Sequence, residues 1–384
     1  MTRSLLLAGG GSGGHVFPLL AVAEALTALA PDVQLTFVGT ERGLESKLVP
    51  ARGYELELLK VRPLRGAGFL GAIAGVKSAA SALPASRALL REKRPSAVLS
   101  IGGYAAGPVS LAARTMGIPV ALIEPNAEIG LSNRLVAPLV ARAYTAFPES
   151  ARFFRPSAVL ETGVPLRVGF SARPLSSEAR PVRILVLGGS QGAKTLNEAL
   201  PRALSRLEQP VSVLHQAGAQ HEQVTRDLYA ELGLAERATV TPFIEDMSEA
   251  LSDADLVVGR AGAGAVGEIC AVGRASLLIP YPFAGDHQRF NALSLERRGA
   301  ALTVLSREAT PERLHQEISA LLADRARLST MADRARSLGR PDAARVIAAD
   351  LLSLAGLARS PEGPRPPVAA KGPVAMRFDA QELS

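Results

Sequence analysis

Twice in this chain a short apolar run passes straight into a cluster of glycines and then into helix-forming sequence. Leu5–Ala8 leads into Gly9, Gly10, Gly11, Ser12, Gly13 and Gly14, and Ile184–Leu187 leads into Gly188, Gly189, Ser190, Gln191 and Gly192. A strand, a glycine turn and a helix form the repeating unit of a parallel α/β sheet, because parallel strands must be joined by a crossover. Six more apolar runs lie between and beyond these starts: 35–38, 97–101, 120–123, 211–214, 256–258 and 276–279. They are continuous rather than alternating, as strands buried on both faces should be. The pattern therefore predicts two Rossmann-like domains, consistent with 384 residues at ~150 per domain. Residues 164–181, with Pro165, Pro174 and Pro181, read as a linker between a domain over 1–163 and a second over 182–355. The tail 356–384 carries Pro361, Pro364, Pro366, Pro367 and Pro373 and is expected to be disordered.

Composition narrows the class. A single cysteine, Cys270 in an apolar stretch, excludes a disulfide framework and a cysteine-rich metal site. The longest uncharged, mostly apolar run near the N-terminus, 66–76, is far short of the ~20 residues a spanning helix needs. The start also lacks a signal-peptide core. The net charge of +7 is uneven. Residues 1–165 hold 17 Lys and Arg against 11 Asp and Glu, whereas 166–384 hold 26 against 25. Between 60 and 94 eight cations (Lys60, Arg62, Arg65, Lys77, Arg87, Arg91, Lys93 and Arg94) face one acid, Glu92. That stretch suits an anionic partner. Aromatics are only 4% and do not interleave with the basic residues, which argues against nucleic acid.

The motifs point to phosphate chemistry without fixing it. Gly9, Gly11 and Gly14 satisfy G-x-G-x-x-G, but the strand that follows ends Phe37-Val38-Gly39-Thr40 with no acid for a ribose, so a nicotinamide reading is weak. Gly188–Thr195 misses the phosphate-binding P-loop by one residue, Ala193 before Lys194, and keeps only an anion site at a helix start with Ser190 as a hydroxyl donor. Small residues 259–267 follow the run 256–258, with Glu268 two turns into the helix and placed to accept ribose hydroxyls. Gln288 lies just beyond Pro280, where loops at strand ends bind ligands. Asp253-Ala254-Asp255 precedes its strand rather than following it, so it is not read as a metal site, and the five histidines show no metal spacing.

Taken together these segments resemble the bacterial family that transfers N-acetylglucosamine from UDP-N-acetylglucosamine to lipid I, within glycosyltransferase family 28. The resemblance runs from about 5 to 353 and rests on seven segments in family order: 10–18, 101–107, 124–126, 188–192, 243–247, Arg260 with Glu268, and 286–292. It implies a GT-B fold, two Rossmann-like domains facing across a cleft. It also implies inverting transfer to the 4-hydroxyl of the acceptor's N-acetylmuramic acid, with no cofactor and no metal required. By resemblance Ile244 meets uracil, Glu268 the ribose, and Gln288 the sugar. Ser190 and the helix start Ala263, Gly264, Ala265, Val266, Gly267 meet the diphosphate. Ser12, Gly13, Gly14 and Asn126 reach the donor from the first domain, and Arg167 lies near the diphosphate. Where the family carries small hydroxyl residues this chain has Ala261, Ala265 and Gly267, so backbone N–H groups must serve there, and Pro125 stands where a Gln is common. His15, at a helix start that favours neutral imidazole, is either the base or an acceptor-positioning group, with Glu124 and Glu128 as outside candidates for the base. A GT-B-fold UDP-N-acetylglucosamine 2-epimerase remains the alternative. A lipid acceptor implies a peripheral enzyme at the cytoplasmic face of the inner membrane. Leu64, Arg65, Phe69, Leu70, Ile73 and Lys77 are then expected to meet an anionic membrane surface.

Overall fold

The computed structural model describes residues 3–11, 13–41, 43–59, 69–175, 180–189, 191–282 and 285–358, with side chains left out for 69–80. The chain divides into two compact units. The first comprises Met1–Val168 together with Arg340–Arg359, and the second Gly169–Gly339.

The first unit is built on a parallel seven-stranded sheet: β1 (Ser4–Gly9), β2 (Gln34–Gly39), β3 (Glu55–Leu58), β4 (Ala97–Gly102), β5 (Val120–Glu124), β6 (Arg142–Thr145) and β7 (Val159–Glu161). Their spatial order is β3-β2-β1-β4-β5-β6-β7. The crossovers are α1 (Gly13–Leu29), α2 (Glu45–Ala51), α3 (Phe69–Lys93), α4 (Ala106–Thr115) and α5 (Leu131–Val136). Because successive side chains point to opposite faces, Leu5, Leu7 and Leu99 bury against α1, while Leu6, Ala8 and Val98 bury against α4. The continuous apolar runs are thus explained by burial on both faces.

The second unit repeats the plan with six parallel strands: β8 (Val182–Leu187), β9 (Val211–Gln216), β10 (Ala238–Thr241), β11 (Leu256–Gly259), β12 (Ala275–Leu278) and β13 (Ala301–Thr303). Their order is β10-β9-β8-β11-β12-β13. The helices are α6 (Lys194–Leu204), α7 (Glu222–Glu231), α8 (Met247–Asp253), α9 (Ala263–Val272), α10 (His287–Arg297), α11 (Pro311–Ala323) and α12 (Arg325–Leu338).

The last helix, α13 (Ala343–Leu354), differs from the sequence reading, which ran the second domain to 355. Its buried face, Ile347, Ala348, Leu351 and Leu352, joins the core of the first unit beside Leu19 and Val22 of α1. Asp350 accepts from Arg142 Nε at 2.8 Å and from Tyr144 Oη at 2.9 Å, which fixes the helix to β6. Beyond it Leu357 is buried and its carbonyl accepts from Arg3, so the start of the expected tail is anchored at Leu357; from 359 the expected tail lies outside the described residues. The expected linker is divided as well. Val164 and Leu166 are buried in the first unit, while Arg173 and Pro174 offer their carbonyls to the buried guanidinium of Arg274 in the second.

Candidate active site

In each sheet the strand order reverses direction between the first and fourth strands, β1 and β4 in one unit, β8 and β11 in the other. Ligands of open parallel sheets bind at this point, beyond the C-terminal ends of the strands. Both glycine turns lie there.

In the first unit the turn after β1 is braced from behind by Glu45, the first residue of α2, which is 1% exposed. Its carboxylate accepts from Gly11 N and Thr40 N, each at 2.8 Å, and from Thr40 Oγ1 at 3.0 Å. Only glycine leaves room for it. A Cβ at Gly10, Gly39 or Gly43 would stand 2.0–2.3 Å from Glu45 atoms. The Gly10 carbonyl in turn lies 3.1 Å from His15 Nδ1. A carbonyl only accepts, so Nδ1 carries a proton, and in the neutral ring Nε2 holds the lone pair. Two residues further along α1, Phe17 has the Arg167 guanidinium 5.8 Å over its ring. Gly13 and Gly14 open α1; Ser12 lies outside the described residues.

Two turns beside this one complete the first-unit site. Gly103, at positive φ, would place a Cβ 2.8 Å from the Gly10 carbonyl, so the turn after β4 rests on the turn after β1. At the end of β5 Glu124 is 1% exposed. It accepts from Asn126 N at 3.0 Å, Asn126 Nδ2 at 3.3 Å and Asn133 Nδ2 at 2.8 Å. Burial pushes its carboxyl up to about 7, and these hydrogen bonds only partly offset the effect. Glu124 is thus withdrawn from solvent and holds Asn126 in place. Glu128 pairs with Arg152 at 2.5 Å.

In the second unit, Gly188–Gly192 leads into α6, whose N-cap Ala193 offers no side chain; Ser190 lies outside the described residues. After β11, Gly262 caps α9 without a side-chain hydrogen bond, and the first turn holds no acid. The expected residues Ala263, Gly264, Ala265, Val266 and Gly267 form the opening of this helix, with Glu268 half-buried on its second turn. Gln288 Oε1 accepts from Ala261 N at 3.2 Å and from Tyr281 N at 3.0 Å, so it stitches the α9 start to the end of β12. The backbone N–H of Ala261 is therefore already engaged, and Gln288 has its Nε2 to offer a ligand. Arg260 donates to the carbonyl of Ile279 at 2.9 Å and to Ser306 Oγ at 2.7 Å, tying the same two strand ends together. Ile244, just after β10, is buried.

Leu64 and Arg65 lie outside the described residues; Phe69, Leu70, Ile73 and Lys77 fall in α3, with side chains outside the description. Lys93, counted in the basic stretch, is spent on Glu55 and Glu57, each at 2.9 Å, which raise its pKa. Asp255 is buried and accepts from Arg180 and from Arg183 N, a structural role. Among the described residues no helix is long and apolar enough to cross a membrane.

Two Rossmann-like units with glycine turns at both reversal points have the GT-B architecture, and the comparisons place the chain among glycosyltransferases of that fold. Residues 5–145 match the glycosyltransferase family 28 N-terminal domain and 183–347 its C-terminal domain. The chain belongs to glycosyltransferase family 28. It is 52% identical over 358 residues, 92% of this chain and 88% of the relative, to the UDP-N-acetylglucosamine–N-acetylmuramyl-(pentapeptide) pyrophosphoryl-undecaprenol N-acetylglucosamine transferase of Sorangium cellulosum. Its structure superposes on that of Acinetobacter baumannii MurG with TM-score 0.77 and 35% identity, covering 91% and 99% of the two chains. UDP-GlcNAc 2-epimerase from Neisseria meningitidis, at 14% identity and TM-score 0.63 over 91% and 99%, shares the fold alone.

Proposed function

We propose that this enzyme transfers N-acetylglucosamine from UDP-N-acetylglucosamine to the 4-hydroxyl of N-acetylmuramyl-(pentapeptide) pyrophosphoryl-undecaprenol, lipid I, releasing UDP and lipid II for peptidoglycan synthesis. The observation that carries the reading is the 52% identity across 92% of the chain to a transferase of that name. The sites agree with it chemically. The second unit offers a helix start with neither side-chain cap nor acid, as a diphosphate needs. Glu268 takes the ribose hydroxyls, Gln288 Nε2 the sugar, Ile244 the uracil, and Ser190 a phosphate oxygen.

In the first unit His15 Nε2 either takes the proton from the attacking hydroxyl or orients that hydroxyl, while Ser12, Gly13, Gly14 and Asn126 meet the donor sugar. Attack from the face opposite UDP inverts the anomeric centre in one step. Arg167 and the α9 start stabilise the charge that builds on the departing diphosphate. The acceptor's lipid keeps the enzyme peripheral, on the cytoplasmic face of the inner membrane, and the 62–94 stretch meets anionic headgroups. Binding to vesicles should then rise with anionic lipid and fall with salt.

The deciding experiment incubates the enzyme with UDP-N-acetylglucosamine, with and without a lipid I analogue. UDP release only with acceptor, together with a β-linked product, supports the reading. Conversion of the sugar nucleotide to its 2-epimer without acceptor overturns it.

A further inference from the structure

Beneath the second glycine turn lies a buried polar chain that the transfer chemistry does not use. His215, at the end of β9, is 0% exposed, and Tyr229 of α7 and Asn197 of α6 are nearly as buried. His215 Nδ1 lies 3.1 Å from Tyr229 Oη, and its Nε2 lies 3.1 Å from Asn197 Oδ1. Asn197 Nδ2 donates to the Ala217 carbonyl at 3.0 Å.

That last bond orders all the protons. The Ala217 carbonyl can only accept, so the Asn197 amide faces it with its nitrogen and turns its oxygen to His215. Nε2 must therefore donate, Nδ1 must accept, and Tyr229 must be the donor to it. The donors and acceptors of all three side chains are thereby fixed, and His215 stays neutral, since burial draws its pKa down to about 3.

The chain ends where the glycine turn is tightest. A Cβ at Gly192 would stand 2.0 Å from the Ala217 carbonyl, and one at Gly218 would stand 2.5 Å from Gly192 N. Gly188 N donates to the Gln216 carbonyl at 3.2 Å. The segment 216–218 thus serves as the floor of the Gly188–Gly192 turn, and the side chains below set where that floor sits. Asn197 also belongs to the opening of α6, so the same chain fixes the helix that follows the turn.

We propose that Tyr229 and His215 are positioning residues for the Gly188–Gly192 turn, acting through Asn197 and Ala217 to hold it in the shape that accepts the sugar nucleotide's diphosphate. The proposal rests on the reading that this turn takes the diphosphate. Neither residue touches the ligand, and His215 exchanges no proton during turnover.

The test compares His215→Phe, Tyr229→Phe, His215→Gln and a control, Leu322→Ala, which opens the core of the same unit but removes no hydrogen bond. UDP affinity is measured by calorimetry at a temperature where circular dichroism shows each variant folded, alongside KM for donor and acceptor. His215→Phe should weaken UDP binding about tenfold or more and Tyr229→Phe a few-fold. Acceptor KM should stay unchanged, and His215→Gln should recover part of the loss through its amide donor. Leu322→Ala should lower Tm yet bind UDP normally. If His215→Phe does not fold, Tyr229→Phe decides.

Normal UDP affinity in the folded relay variants overturns the proposal while leaving the functional reading intact. An equal loss in Leu322→Ala also overturns it. An unvaried enzyme that fails to bind UDP overturns the functional reading, and the proposal with it.

Discussion

The two glycine turns look alike in sequence and occupy the same position in their sheets, yet they are braced by opposite chemistry. Behind the first turn stands a carboxylate, Glu45, which consumes the N–H of Gly11. Behind the second stands a neutral chain of Tyr229, His215 and Asn197, which ends on a carbonyl. A negative charge behind a turn opposes an anion in front of it, whereas a neutral brace leaves the positive end of the following helix undiminished. A glycine-rich turn is therefore not of itself a phosphate site. The group behind it matters too, and the neutral brace fits the proposed reading in which the second unit takes the diphosphate and the first holds His15.

Four substitutions break or sharpen this contrast. His15→Ala should lower turnover by ~10²–10⁴-fold and leave UDP affinity unchanged, because its role lies with the acceptor hydroxyl. Steady-state kinetics at saturating acceptor, beside calorimetry with UDP, checks both halves; near-normal turnover would remove His15 from either role. Glu45→Gln turns one acceptor into a donor facing a backbone N–H, so it should cost ~1–3 kcal/mol of stability. It should also lower turnover by shifting Gly10, the anchor of His15, again with UDP affinity intact; denaturant titration and kinetics read the two effects.

Glu124 gives a pH test of the first unit. Its carboxyl is raised from 4.5 to about 7 by burial, so the folded chain favours the protonated form. Its contribution is full below about 4.5 and is lost as pH rises through 7, by up to ~3 kcal/mol. Comparison of Tm between pH 4 and 8 should show the native enzyme losing stability relative to Glu124→Gln; parallel curves would contradict this. Glu268→Ala should weaken UDP by ~1–3 kcal/mol without changing acceptor KM, the reverse of the first-unit pattern. Unchanged affinity would place the ribose elsewhere.

The fold was largely legible because its central strands are buried on both faces and announce themselves as apolar runs. The strands that escaped notice, β3, β6, β7, β10 and β13, are three or four residues long, and β3 and β7 are edge strands with no fully buried residue. The glycine turns were legible because glycines clustered after an apolar run mark a tight strand-to-helix turn. Their braces were not. Glu45 sits in a charged stretch that reads as a solvated turn, and it meets Gly11 across 34 residues. His215 was set aside for lacking metal spacing, although its partners lie 14 and 18 residues away on two different helices. A side chain that supports a loop from below follows no local period, so only the folded chain shows it.

The return of α13 to the first unit sets an order of assembly during synthesis. Among the described residues the second unit is one uninterrupted stretch, made once Gly339 has emerged from the ribosome. The first begins earlier but lacks the helix that covers Leu19 and Val22 until residues 343–354 arrive. Although its glycine turn is made first, its core closes last, so the nascent N-terminal half must wait with an apolar face uncovered while the half behind it folds.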